Sequence, residues 1–113
     1  MYLIRAEART HQGKITGVGS AQADLNVLRT RAKAPLISSS VNQSQMTLLV
    51  EKERLYELAY EGHRWYDLVR TGRVSTVMPA FSSNWKDYYV LWPIPQHELQ
   101  NNPALTGHQN TGY

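Results

Sequence analysis

Glu53-Arg54-Leu55-Tyr56-Glu57-Leu58-Ala59-Tyr60-Glu61-Gly62-His63-Arg64-Trp65-Tyr66-Asp67-Leu68-Val69-Arg70 is the stretch whose reading decides the fold. Its apolar residues recur at helical spacing, and the pattern begins upstream of Glu53. It predicts one long helix from about Gln45 to Arg70, with Ser44 as the cap and Thr71-Gly72-Arg73 as the end. At about 100° per residue, Leu48, Leu55, Leu58, Ala59, Gly62, Trp65, Tyr66 and Val69 fall within a sector of about 120°, the width of a core-facing stripe. Arg54, Glu57, Glu61 and Arg64 form a narrower stripe of both signs beside it. Gly62 costs about 1 kcal/mol relative to alanine inside a helix, so it marks close packing or a kink.

Upstream, Tyr2 to Gln12 reads as a short helix that Gly13 ends, and Ser20 caps a second from Ala21 to about Lys33, closed by Pro35. Small residues such as Ala6 and Ala8 permit close approach, so the pair predicts an antiparallel αα-hairpin. Pro35 to Gln43 is serine-rich and reads as an exposed loop. Downstream of the long helix, Val74 to Asn84 has no clear period and reads as a loop. Tyr88 to Trp92 is β-prone and stops at Pro93-Ile94-Pro95, which predicts an extended segment laid against helices. Gln96 to Gln100 predicts a single helical turn, and Asn101 to Tyr113 a polar tail. The class is all-α: a helical hairpin, a long amphipathic helix and an extended C-terminal tail packed on them, in a single domain spanning residues 1–113.

Composition narrows the function. Hydrophobic residues at 42% and charged residues at 19% exclude a disordered chain. The net charge is +3, but the twelve basic residues are interleaved with nine acids. They form no run, which argues against a nucleic-acid partner. Without cysteine there is no disulfide, thiolate chemistry or cysteine-ligated metal. Arg5, Glu7 and Arg9 interrupt any apolar leader after Leu3 and Ile4, so residues 1–113 are expected to carry no signal peptide of their own.

Three segments, in this order, resemble the C-terminal signature of the SusD/RagB family of nutrient-binding outer-membrane lipoproteins. The first is Tyr2 to Ala8 followed by Ala23 to Ala32; the second, and most specific, is Glu53 to Gly72. The third joins Trp92-Pro93-Ile94-Pro95-Gln96-His97-Glu98-Leu99, Asn102-Pro103-Ala104-Leu105 and the terminal Gln109-Asn110-Thr111-Gly112-Tyr113. Gly107 and His108 stand as an insertion relative to the family pattern. Family members are several hundred residues long, so Met1 is expected to be a cloning start or the start of a truncated reading frame. The resemblance implies a protein with tetratricopeptide-like helix pairs, exported, anchored by an N-terminal lipidated cysteine, and seated on a TonB-dependent (SusC-like) transporter at the cell surface. There it captures glycans or peptides. It implies no catalysis, no cofactor and no metal, and it assigns no ligand-binding residue to this stretch.

The residues themselves offer three candidate sites. Glu57 and Glu61, one turn apart with Arg54 and Arg64 beside them, have the spacing of paired carboxylates for glycoside hydrolysis, about 6 Å at Cβ. The favoured reading is that opposite charges at i,i+3 and i,i+4 support the helix and its neighbours. His63 and Asp67 have metal-ligand spacing, but His11, His97 and His108 are scattered and supply no third ligand; a solvated face is the better reading. Trp85, Tyr88, Tyr89 and Trp92 form the densest aromatic cluster and suit either sugar stacking or, in the favoured reading, anchoring of the tail. The expected function is the mainly structural end of a glycan- or nutrient-capture protein. The rivals are an autonomous helical interaction module and a basic nucleic-acid binder. Apolar faces left open in the first helix pair predict that the isolated chain self-associates.

Overall fold

The computed structural model describes residues 1–113 and divides into two compact units, Met1–Arg64 and Trp65–Tyr113. All regular structure is helical.

The first unit holds α1 (Tyr2–His11), α2 (Ala21–Arg31) and α3 (Gln43–Glu57). Gly13, at φ +72°, turns the chain after α1, and the Ser20 hydroxyl accepts from Ala23 N at 3.2 Å to cap α2. The predicted hairpin is thus present, with Ala6 and Ala21 fully buried. Leu25, Ile37, Met46 and Val50 complete the core, and Leu3, Ile15, Val41 and Leu49 pack against it.

A buried carboxylate fixes how α1 lies on α2. Asp24, 2% exposed, accepts from Arg5 at 3.0 Å (Nε) and 2.6 Å (Nη2) and from Arg9 Nη1 at 2.7 Å. Arg5 and Arg9 are four residues apart and therefore share one face of α1. A carboxylate taken out of water costs several kcal/mol unless it is paired and hydrogen-bonded, so α1 cannot slide along α2 without exposing that cost.

The loop before α3 departs from its sequence reading. Ile37 is buried: its amide donates to Asn26 Oδ1 at 2.8 Å and its carbonyl accepts from Gln22 Nε2 at 2.8 Å. Side chains of α2 thus replace the backbone partners that a buried loop lacks. The cap of α3 is Asn42, not Ser44. Asn42 Oδ1 accepts from Gln45 N, and Gln45 Oε1 accepts from Asn42 N, each at 2.9 Å, a complete capping box.

The single long helix is the principal correction. The chain leaves the helix after Glu57, turns through Leu58–Gly62, and resumes as α4 (His63–Arg70). Tyr60 at φ +66° and Gly62 at φ +77° both stand in the left-handed region. Gly62 adopts it without strain, whereas Tyr60 pays about 1 kcal/mol or more. The turn brings Arg64 Nη2 to Glu51 Oε1 at 3.0 Å. In an unbroken helix those two residues would be separated by about 20 Å along the axis, so this ion pair exists only because the helix breaks.

The break also cancels the predicted core stripe. Leu48, Leu55, Tyr66 and Val69 are exposed, and α3 buries Met46, Val50 and Glu53 instead, about half a turn round the helix from Leu48 and Leu55. Arg29 Nε donates to Glu53 Oε2 at 2.9 Å, and Arg31 pairs with Glu57. The basic end of α2 therefore selects the face of α3 that carries carboxylates.

In the second unit, Thr71 Oγ1 donates to Asp67 O at 2.7 Å and Arg73 N to Leu68 O at 2.8 Å, closing α4 at Gly72 (φ +66°). Residues 74–84, read as a loop, contain α5 (Val74–Val77) and a 3-10 turn at Met78–Ala80. Of the segment read as extended, Tyr88–Val90 lies in a 3-10 turn over Asp87–Val90, and Leu91 follows it in β geometry. α6 (Gln96–Asn101) and a 3-10 turn at Pro103–Leu105 follow.

Replacing Asp24 with alanine leaves Arg5 and Arg9 without their shared acceptor. We expect a loss of about 2 kcal/mol, less than for a fully enclosed pair because Arg5 is half exposed. Urea unfolding followed by far-UV circular dichroism checks this; a midpoint unchanged from wild type would show that the carboxylate does not set the packing.

Candidate functional site

The carboxylates read as a catalytic candidate do not converge. Glu57, on α3, is paired with Arg31 of α2. Glu61 lies in the turn, largely exposed, with its Oε2 3.9 Å from His63 Nε2. Arg64 is committed to Glu51, and its Nη1 is buried without a partner. Arg54 remains on α3 as the sequence placed it. The helix break takes Glu57 and Glu61 off a common face, and the arrangement is one of cross-helix ion pairs.

His63 and Asp67 do not form a ligand pair either. Asp67 is buried and accepts from Arg70 Nε at 2.9 Å. No group of three or more His, Asp or Glu side chains converges as a metal site would require.

The aromatic cluster does assemble, with different members. Trp65 packs edge-on to Trp85 at 6.1 Å, Trp85 to Tyr89 at 5.7 Å, Tyr89 to Tyr88 at 4.8 Å, and Tyr88 to Tyr113 at 5.0 Å between ring centroids. These T-shaped contacts are the preferred geometry of aromatic quadrupoles. Trp65 and Tyr113 lie outside the run of rings from Trp85 to Trp92. Trp65 belongs to α4, and Tyr113 is remote in sequence; its only local signal is Gly112, which precedes it. Gly112 stands at φ +100°, and a Cβ there would lie 2.4 Å from Cγ of Tyr88, so the tail passes flat against that ring.

Trp92 is not stacked on this cluster. Its side of the chain is held instead by polar side chains of the tail. Gln109 donates from Nε2 to Ile94 O at 3.0 Å and accepts from Ile94 N at 2.8 Å. Asn110 Nδ2 donates to Trp92 O at 2.6 Å, and the Tyr113 hydroxyl donates to Leu91 O at 2.8 Å. Three tail side chains therefore do for residues 91–94 what a neighbouring strand would do.

The SusD family profile matches residues 1–113 in full. The chain belongs to the SusD family. Relatives from Formosa agariphila agree with this: SusD-like protein P38 is 31% identical over 121 residues, covering all of this chain and 23% of the relative. SusD-like protein P25 is 33% identical, with 100% and 23% covered, and SusD-like protein P2 is 35% identical, with 98% and 24% covered. The chain thus spans about a quarter of the length of these SusD-like relatives. No solved structure gives a significant match. No helix of this SusD-family chain is long and apolar enough to cross a membrane.

One carboxyl and one hydroxyl group of the aromatic unit are shifted. The Tyr88 phenol is raised above its ordinary value of 10.0 by its bond to Tyr89, by partial burial, and by the neighbouring tyrosines. Hydrogen bonds from Ser75 and from Trp85 Nε1, the latter at 3.0 Å, hold the Asp87 carboxyl below its ordinary value of 3.8. Because the folded value lies below the unfolded one, this contribution to stability is complete above the unfolded value. It disappears as pH falls through the folded one. Acid titration below pH about 4 is therefore expected to change the Trp85 signal in near-UV circular dichroism, and Asp87→Asn to remove that step. An unchanged acid limb in the variant would rule out the assignment.

Proposed function

We propose that this chain is the structural C-terminal portion of a cell-surface protein that captures glycans or peptides and works with a TonB-dependent outer-membrane transporter. In this reading the parent is an exported lipoprotein, residues 1–113 act as one module within it, and the module performs no catalysis and takes no cofactor. The whole-chain match to the SusD family is the observation that carries the proposal. The commitment of Glu51, Glu53 and Glu57 to arginines of the same unit supports the architectural role.

Glu53 is 5% exposed, so Glu53→Gln should cost about 1 to 2 kcal/mol in urea unfolding, and the more open Glu57→Gln less. Neither should alter the release of reducing sugar from neutral polysaccharides, which is expected to stay at the blank. Hydrolysis that Glu57→Gln abolishes would overturn the non-catalytic reading. Co-purification of the transporter with the chain's parent protein tests the partner, and a parent that never accompanies a transporter would defeat it.

One feature favours the second reading, an autonomous interaction module. The outer side of α3 carries a shallow groove of about 420 Å³ lined by Ser40, Val41, Gln45, Leu48, Leu49 and Lys52. Leu55 and Tyr56 are exposed on the same helix. Apolar patches of this kind drive association, so the isolated chain is expected to self-associate. Light scattering that finds a clean monomer at millimolar concentration would contradict this.

A further inference from the structure

We propose that residues 58–62 form a two-position joint: the turn between α3 and α4 exchanges with a helical state in which the two helices run as one. The local sequence favours that second state. Leu58, Ala59 and Glu61 are good helix formers, no proline interrupts the stretch, and the apolar spacing of a helix continues through it. The turn, by contrast, is held against local costs. Tyr60 stands at φ +66°, a conformation that a side chain with a Cβ rarely adopts, and its ring is fully exposed, so no packing of the ring offsets the strain. Arg64 Nη1 is buried without an acceptor, and a buried donor left unpaired is destabilising. Within the turn Leu58 N donates to Arg54 O at 3.0 Å and Glu61 N to Leu58 O at 3.2 Å, whereas a continuous helix would give every residue its bond to the fourth residue before it.

What holds the turn is the pair between Arg64 Nη2 and Glu51 Oε1 at 3.0 Å, together with the freedom of Gly62 at φ +77°. Helix continuity breaks that pair but sets Arg64 three residues from Glu61 and four from Tyr60, the spacings at which helical side chains meet. Opposing gains and costs on the two sides are what a two-state element requires. The position suits a joint as well. Gly62 lies two residues before Arg64, where the first compact unit ends, and hinges are built from the few residues at the ends of such elements. A partner that binds one state better than the other would move the joint by that difference in affinity. The joint is a property of residues 51–64 and does not depend on what the parent protein captures.

Chemical-exchange saturation transfer on the ¹³C,¹⁵N-labelled 113-residue chain, read at Tyr60 and Gly62, tests the joint. The wild type is expected to show a left-handed major state and a minor state, below about one-tenth of the molecules, whose Cα shifts are helical. Gly62→Ala replaces the residue best suited to the turn with the best helix former, and should raise the ratio of helix to turn roughly thirtyfold. Tyr60→Gly relieves the strain of the turn and weakens the helix, and should lower the same ratio by about tenfold or more, which abolishes the exchange. A wild type without a minor state overturns the joint. So does a minor state with random-coil shifts, which reports local unfolding, and so does a Gly62→Ala chain whose Tyr60 stays wholly left-handed. If Gly62→Ala fails to fold, the wild type and Tyr60→Gly decide the matter, because Tyr60 contributes no buried ring that the substitution would remove.

Discussion

The geometry of the first unit hangs on one buried carboxylate. Asp24 sits at 2% exposure between two arginines of α1, and its partners are donated by side chains one helical turn apart. Because a lone carboxylate in that position is intolerable, the register of α1 on α2 is set to within a turn. Ala6 and Ala21 then meet at full burial, where any larger side chain would hold the helices apart. The position of α3 follows from the same logic one layer on. Arg29 at the far end of α2 draws in Glu53, and Gln43 Nε2 ties the start of α3 to Thr10 O at 2.8 Å.

Polar anchoring of this kind carries a consequence for the apolar residues. When α3 turns Glu53 and Glu57 toward α2, Leu48 and Leu55 go outward. The exposed side of α3 is therefore not a packing failure but the complement of the face that electrostatics selected. In the second unit the same division of labour holds in another form. Aromatic rings supply the packing of Trp65, Trp85, Tyr88, Tyr89 and Tyr113, while Gln109, Asn110 and the Tyr113 hydroxyl satisfy the backbone of residues 91–94.

A site for chemistry would need acids and bases brought together in a cleft with their ionisation displaced. The acids of α3 are instead distributed along helix interfaces, each beside an arginine. Asp87 and Tyr88, whose ionisation is displaced, belong to the aromatic unit and owe their shifts first to hydrogen bonds within it. The ion pairs of Glu51, Glu53 and Glu57 tie α3 to α2 and to the start of α4.

The sequence by itself determined the helical class, the α1–α2 hairpin and the family, because those rest on local signals: periodic apolar residues, Gly13 and Ser20 at helix ends, and motifs read in order along the chain. It also pointed to the aromatic cluster, through the density of rings between Trp85 and Trp92. Tertiary structure decided the rest. A helical wheel drawn from Gln45 to Arg70 presumes unbroken phase, and the turn at Leu58–Gly62 resets it; the gain that justifies a tyrosine at φ +66° includes the Glu51–Arg64 pair, which no local pattern announces. The burial of Ile37 depends on carboxamides of α2, and the place of Tyr113 depends on a ring 25 residues earlier in the chain. Contacts between residues distant in sequence are chosen by charge and shape in three dimensions, and a one-dimensional reading contains neither.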